Sequence, residues 1–354
     1  MKTAVLLYRL YDVADEINLE AVEKILSMEK VTSRLKLSRV PSKSIHIENP
    51  PVGVELGNER IVFGESEYEV SFFARIYDLG VISIIMHIFL PSNFGYEDFK
   101  QFAIILEQQI EYEQYFLVQL NKLKQTLLPA LIGSSIGDFE EDFIVFFFTD
   151  WQSQWDPLPL LLGEEGPFSD WVRKDTLQHS YSYTPEDLII ITWDSALVYD
   201  TSGSTELPEL LEFANSQLLE LRYYDGLLSG EMEKMYSELQ RIGKVGSFAR
   251  LRYYRRIMGR LMQVVTEVTD ITERIQNSVK VTEDIYYARI YSAALIIFRT
   301  KAWMDSVQRK MSLIQQNYSM LSDEIVTSRS NWLEIAIVLL ITFEIILGIY
   351  TAFK

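Results

Sequence analysis

A single carboxylate near the C-terminus occupies the position that most suggests chemistry. Glu344 lies near the middle of residues 333–353, a stretch whose only other charged residue is Glu334. The stretch is close to the roughly 20 residues that a helix needs to cross a bilayer. Because an ionised side chain inside a membrane is costly, Glu344 predicts either a proton or cation site or a protonated contact between helices. One acid without a basic partner makes a poor permeation path, so the sequence favours the contact between helices.

The second candidate is a basic cluster. Its members are Arg250, Arg252, Arg255, Arg256 and Arg260. The last four fall at i, i+3, i+4 and i+8, which places them on one face of a helix. Such a face, interleaved with tyrosines, is suited to phosphates, RNA or anionic lipid. The alternative, which the sequence favours, is that the preceding acidic helix neutralises this face in an antiparallel pair. The acids of that helix are Glu206, Glu209, Glu212, Glu220, Asp225, Glu231, Glu233 and Glu238.

The remaining reactive residue types form no recognisable enzyme motif. The absence of cysteine excludes disulfides, cysteine-ligated zinc and thiol nucleophiles. Asp187, Asp194 and Asp200 bracket a predicted strand, but carboxylates at turns are far commoner than metal ligands. The formal net charge of -17 disfavours a nucleic-acid surface. We therefore expect a non-enzymatic protein with no cofactor and no metal.

Residues 1–203 are predicted to form an α+β domain. Apolar runs rich in β-branched and aromatic residues indicate strands, and the turn at residues 78–80 indicates a hairpin between residues 67–77 and 81–90. The period then changes over residues 96–128, where apolar side chains recur at helical spacing, with Glu113 as the one polar exception, and predict one helix. Strands mixed with helices that begin with a hairpin are typical of an α+β domain.

Residues 204–331 are predicted to form a helical stalk or bundle. Apolar residues recur at heptad spacing through residues 207–242 and again through residues 286–332, where Thr300 and Ser328 are the exceptions. Residues 282–353 therefore predict one long helix, and a helix of such length needs partners. These partners can come from the same chain or from other copies.

Residues 332–353 are predicted to be a transmembrane anchor, with Trp332, Glu334 and Tyr350 at the membrane surfaces and Glu344 near its centre. Since the N-terminus has no signal-peptide pattern, we expect a tail-anchored protein of the cytoplasmic membrane with its N-terminal domain in the cytoplasm. The predicted fold class is an α+β N-terminal domain, then a long-helix coiled-coil or bundle segment, then one C-terminal transmembrane helix.

The C-terminal stretch resembles the family named for being required for meiotic nuclear division. Members of that family combine an α/β region, a helical segment and a final span that opens Leu-Glu with another Glu ten residues later. Leu333, Glu334 and Glu344 fit this pattern. Ile335 departs from it, because the family's aromatic residue after Leu-Glu is missing and Trp332 stands before it instead. The resemblance implies a membrane-anchored scaffold or tether without an established reaction.

The sequence thus predicts a membrane scaffold that forms a homo-oligomer and recruits an unknown protein partner at the lipid bilayer. The alternative is an oligomeric ion channel with a layout like that of CorA, in which Glu344 faces the pore. That alternative lacks a second span and the Gly-Met-Asn motif. A third hypothesis is a nucleic-acid tether that uses residues 250–260.

Overall fold

The computed structural model describes residues 3–27, 32–34, 49–109, 111–133, 139–242, 247–278 and 285–352. The chain divides into two units. The sheet unit comprises Met1–Tyr223 and Ile271–Met304, and the helical unit comprises Tyr224–Asp270 and Asp305–Lys354.

The sheet unit is built on one large mixed sheet. Its strands in the described residues are β1 (Ala4–Asp12), β3 (Thr32–Arg34), β4 (Val52–Phe63), β5 (Ser66–Ile76), β6 (Val81–Phe89), β8 (Glu140–Phe148), β9 (Ser180–Tyr181), β10 (Asp187–Ile191) and β11 (Ser195–Asp200), while β2 (Glu16–Ile17) and β7 (Leu131–Ile132) pair separately. The order across the sheet is β3-β4-β5-β6-β1-β8-β11-β10-β9. Neighbouring strands run antiparallel except β8 and β11, which are parallel.

The centre of the sheet is covered on both faces. Along β1, successive side chains point to opposite faces, so Val5 and Leu7 join one apolar cluster while Leu6 and Leu10 join the other. A strand with two buried faces reads as a nearly continuous apolar run, and this is the pattern of β1 and β6.

Helices from both halves of the sequence cover these faces. The helices of the structure are α1 (Leu19–Leu26), α2 (Tyr96–Gln108), α3 (Glu113–Leu127), α4 (Leu158–Leu162), α5 (Asp170–Leu177), α6 (Glu206–Ile242), α7 (Ser247–Ser278), α8 (Ile285–Ile297) and α9 (Thr300–Ala352). α1, α2 and α3 pack on one face of the sheet, and the first half of α6 with α8 packs on the other.

Two predicted helices are interrupted in the structure. Residues 96–128 form α2 and α3, and Glu113, the polar exception in their apolar series, begins α3 and pairs with Arg9 at 2.9 Å. The long C-terminal helix is broken between α8 and α9, where Arg299 has φ 54° in the left-handed region. The hydroxyl of Thr300 donates to the Leu295 carbonyl at 2.8 Å, which occupies a backbone acceptor at this break.

The helical unit contains the second half of α6, most of α7 and most of α9. Val307, Ile314, Leu321 and Ile325 of α9 are buried, at the heptad spacing that the sequence displays. Lys310 of α9 contacts Asp225 of α6 at 2.6 Å, which adds a polar contact to this packing.

The predicted transmembrane helix is not supported. A bilayer core about 30 Å thick requires roughly 20 predominantly apolar residues in one helix. Within the described residues, no helix combines that length with sufficient apolar character. The transmembrane part of the predicted fold class, the tail anchor and the single-pass location in the cytoplasmic membrane are therefore corrected, whereas the α+β domain with a large sheet and the helical C-terminal region are present.

One ion-pair cluster joins the sheet to α6. Arg75 on β5 donates to Glu209 at 2.6 Å and to Glu212, both on α6. Although burial lowers the pKa of Arg75, Glu212 and Glu209 raise it above its ordinary value. The three side chains are at most 16% exposed, so this contact lies in a region of weak solvent screening.

Replacing Arg75 with alanine should leave two buried carboxylates without their cation. Because removing one partner of a buried pair is strongly destabilising, the free energy of unfolding should fall by about 3–5 kcal/mol in denaturant titrations. Arg60→Ala is the control, since Arg60 and Glu67 form an exposed pair at 3.6 Å whose loss should cost less than about 1 kcal/mol. Equal losses in the two variants would contradict this assignment.

Candidate functional site

A buried group of ionisable side chains lies between β1, β5 and α6. Tyr8 and Tyr77 join Arg75, Glu209 and Glu212 there. Burial, with a further contribution from Glu212, raises the pKa of both tyrosines well above 10. Burial also raises the pKa of Glu209, despite the nearby Arg75. The hydroxyls of Tyr8 and Tyr77 are therefore neutral at pH 7, which suits a buried contact between layers.

A third acid on α6 is buried and forms no ion pair with the residues that the structure describes. Glu220 is 1% exposed, and both its carboxylate oxygens lack a hydrogen-bond partner within the described part of the chain. Burial, followed by the charges of Asp12, Asp78 and Asp15, raises its pKa well above 4.5. A carboxyl group in such surroundings is stabilised in its neutral, protonated form.

Glu220 should make stability depend on pH. Because its pKa is higher in the folded chain than in the unfolded chain, stability should fall as pH rises above about 4.5, until the folded-state pKa is passed. Glu220→Gln should remove this contribution. The free energy of unfolding of the variant minus that of the wild type should therefore increase as pH rises. Glu233→Gln, an exposed position on the same helix, is the control. Parallel pH profiles for Glu220→Gln and the wild type would refute the assignment.

The structure shows the surroundings of His87 on β6 and of the three aspartates that bracket the predicted strand. Burial, with Arg75 nearby, lowers the pKa of His87 to about 4, so its imidazole is neutral at pH 7. Asp187 accepts hydrogen bonds from the Tyr183 and Thr184 backbone, and Asp200 accepts from Ser202. Asp194 lies in the turn between β10 and β11. Among the described residues, no three acidic, cysteine or histidine side chains are grouped so as to hold a metal ion.

The arginine cluster of α7 contains residues in different surroundings. The Arg260 guanidinium donates two hydrogen bonds to Glu238, at 3.2 and 2.9 Å, and its Nε lies 2.7 Å from Glu231. Both acids belong to α6, so α6 neutralises this one arginine. Arg260 therefore forms ionic contacts within the helical unit.

Arg252, Arg255 and Arg256 are exposed and form no ion pair within the described residues. Arg250 lies on the same helix, and its side chain is outside the described part of the structure. Three acids that the sequence suggested as partners lie elsewhere: Glu209 and Glu212 contact Arg75, and Glu220 is buried near the sheet. The anionic-partner surface at residues 250–260 stays a prediction.

A groove runs along α7 beside the exposed arginines. It has a volume of about 670 Å³ and is lined by Arg255, Met258, Gly259 and Met262 of α7 and by Tyr318 of α9. Methionines provide an adaptable apolar surface, and an arginine beside them provides charge. This α7 groove is suited to an elongated partner with both apolar and acidic side chains. The sequence alone does not reveal the apolar part of the groove, because Met258 and Met262 match the pattern of an ordinary amphipathic helix.

The end of α9 carries the other predicted site residues. Trp332 is 42% exposed, and Glu334 and Glu344 are exposed on the helix. Tyr350 lies in the helix, and its side chain is outside the described residues. Their predicted roles in membrane contact lose their basis with the span, while a role in contact between copies stays a prediction.

Removing the charge of Arg260 should weaken the helical unit. Arg260→Met keeps an apolar stem but leaves the buried Glu231 without one of its cations, so we expect a loss of about 1–3 kcal/mol in the free energy of unfolding. Arg256→Met, at an exposed position, should change it by less than about 0.5 kcal/mol. Denaturant titration followed by far-UV circular dichroism measures both. Indistinguishable stabilities of the two variants would contradict the structural role of Arg260.

Comparison with known proteins gives a family and no activity. "Uncharacterized protein MJ0711" of Methanocaldococcus jannaschii is 26% identical over 262 residues, which cover 70% of this chain and 79% of the relative. No solved structure matches the chain. The resemblance at residues 333–344 is not addressed by these matches and stays a hypothesis.

Residues 2–205 match the family described as "Uncharacterized protein MJ0711, N-terminal domain". The match covers more than half of the 354 residues and includes every strand of the described sheet. The chain therefore belongs to the family of the MJ0711 N-terminal domain.

Proposed function

We propose that this protein is a non-enzymatic scaffold that self-associates through the C-terminal end of α9 and recruits a protein partner. The observation that carries the proposal is the exposure of the apolar side chains on this end. Leu333, Ile335, Ile337, Val338, Leu339, Leu340, Ile341, Phe343, Ile345 and Ile346 are each between 50% and 67% exposed. We call these residues the apolar end.

The apolar end occurs on all faces of its helix. Single exposed apolar residues are normal, but monomers rarely expose a contiguous apolar patch larger than a few hundred Å². A helix that is apolar on every face is normally buried on every face. One partner helix covers only one of these faces. Association of several apolar ends therefore removes more of this surface from water than a simple pair does. The apolar surface on every face of this helix therefore favours an assembly larger than a dimer.

The sheet unit supplies surface suited to the partner. Trp171, Tyr183 and Trp193 are at least 50% exposed. Tryptophan and tyrosine are enriched at protein interfaces, because they combine a large apolar area with a polar group. The guanidinium of Arg299 lies 5.5 Å from the centroid of the Trp193 ring, a distance at which a cation–π contact forms. These aromatic residues support a recruiting role for the sheet unit.

The scaffold predicts a specific change in mass. The full chain, at 41.2 kDa per copy, should sediment as an assembly of several copies. Leu339→Gln, Leu340→Gln and Phe343→Gln together, the polar-end variant, should give a smaller mass because fewer apolar groups are removed from water on association. Sedimentation equilibrium measures both.

The matched control replaces three exposed apolar residues of the sheet unit. Leu117→Gln, Val118→Thr and Leu128→Gln change side chains that are 48% to 64% exposed, and the assembly should keep the wild-type mass. An unchanged mass for the polar-end variant would contradict the proposal. A monomeric wild type would also contradict it, as would binding to phosphatidylcholine vesicles in place of self-association.

A further inference from the structure

We propose that the α7 groove binds the outward face of α9 from a second copy of this chain. The inference deepens the proposed function, because it takes the scaffold's second copy as the occupant and adds a contact separate from the apolar end. The groove lies on the helical unit, and all its lining residues belong to that unit. The shape, glycine content and charge of the groove each favour a helix as its occupant.

A glycine opens the middle of the groove. Gly259 lies within α7, where glycine costs about 1 kcal/mol relative to alanine. A Cβ at Gly259 would meet no atom within 4 Å in the described chain. Packing inside the chain therefore does not account for glycine at this position. A residue without a side chain at a helix surface lets the backbone of another helix approach closely.

The two parts of the groove differ in charge. Arg255, Gly259, Met262 and Thr266 follow one another at i, i+4, i+7 and i+11, so they form one line along α7. Arg255 marks the basic end of this line, with Arg252 one turn further, and Met262 marks its apolar part. Because the chain has a net charge of -17, three exposed arginines on one helix favour an acidic partner, and every second copy is strongly acidic.

The outward face of α9 matches this line. Leu313 and Met320 are 43% and 58% exposed, and Glu324 and its neighbour Asp323 are also exposed. Leu313, Met320 and Glu324 fall at i, i+7 and i+11, which is again one helix face. Among the described residues, Asp323 and Glu324 form no ion pair. This face is apolar at one end and acidic at the other.

The two lines have equal length and carry opposite charges at one end. Arg255 to Thr266 spans the same eleven-residue interval as Leu313 to Glu324, about 16 Å along a helix. In an antiparallel arrangement of α9 from one copy on α7 of the other, Glu324 faces Arg255 and Met320 faces the notch at Gly259. A helix laid in an apolar groove with charges at one end is a common mode of recognition. RNA would contact the arginines, but it would leave the apolar half of the groove without a matching surface.

The test uses charge reversal in the polar-end variant, which isolates the groove from the apolar end. The groove variant adds Arg252→Glu, Arg255→Glu and Arg256→Glu, and the face variant adds Asp323→Lys and Glu324→Lys. The polar-end variant itself should form a dimer, and each reversal should weaken that dimer at least about tenfold. A mixture of the two reversed proteins should associate again, because each brings the charge that the other requires. Repulsion within one chain cannot be relieved by mixing.

A second pair of variants tests the notch without changing charge. Gly259→Leu fills the notch and should weaken the dimer by at least about tenfold. Gly230→Leu on α6 is the matched control, since a Cβ at Gly230 also meets no atom within 4 Å, and it should leave the dimer unchanged. Circular dichroism should show unchanged helix content for both.

The outcomes separate this inference from the proposed function. A polar-end variant with the wild-type mass would refute the role of the apolar end, and the charge reversals should then lower the mass of that larger assembly and restore it on mixing. A monomeric polar-end variant, or reversed proteins that do not associate on mixing, would overturn the groove inference and leave the apolar end untouched. Binding of poly-U RNA that is lost in the groove variant, without any association on mixing, would also overturn it.

Discussion

The contact of Arg75 with Glu209 and Glu212 is the most deeply buried ion pairing between α6 and the sheet in the described residues. It joins β5, the third strand in the order of the described sheet, to the first half of a helix of 37 residues. Burying three charges is costly unless they pair, so positions of α6 that leave one of these charges unpaired are disfavoured. The same helix later supplies Glu231 and Glu238 to Arg260. α6 thus contributes ionic contacts to both units.

The division of acids along α6 explains why one part of α7 remains available. Glu209, Glu212 and Glu220 face the sheet, so they do not neutralise α7. Among the α7 arginines with described side chains, Glu231 and Glu238 pair only with Arg260, whereas Arg252, Arg255 and Arg256 stay exposed on a protein with a net charge of -17. An exposed basic face of this kind is retained at little cost in stability, since surface charges contribute little to folding. In the proposed contact with a second copy, this charge would set partner choice and orientation.

The local parts of the fold were predictable from the sequence, and the distant contacts were not. The β5–β6 hairpin follows from two apolar runs around a short turn, and the structure places it at Ser66–Ile76 and Val81–Phe89. Arg75 and Glu212 are 137 residues apart, and no local pattern connects them. A weak signal existed, because Glu209, Glu212 and Glu220 recur at spacings that return them to one side of α6. The sequence predicts that those acids neutralise the arginines of α7. Helical spacing shows which residues share a face, but it does not show which element that face contacts.

The C-terminal helix illustrates the limit of composition. An apolar stretch predicts burial, but composition does not identify what surrounds it, and the membrane interpretation of residues 333–353 is not supported by the described helices. Self-association provides another environment for the same side chains. Glu344 is exposed in a single copy, so a partner for its carboxyl must come from outside the described chain if the helix is enclosed.

The most direct test of self-association is energy transfer between copies labelled on α9. The chain contains no cysteine, so Thr342→Cys provides one labelling site for a donor or an acceptor on an exposed position of the helix. Mixing donor-labelled and acceptor-labelled full-length protein should give efficient transfer that unlabelled protein competes away. The account would be contradicted by transfer that stays at the level of free dyes across the concentration range in which the protein remains in solution.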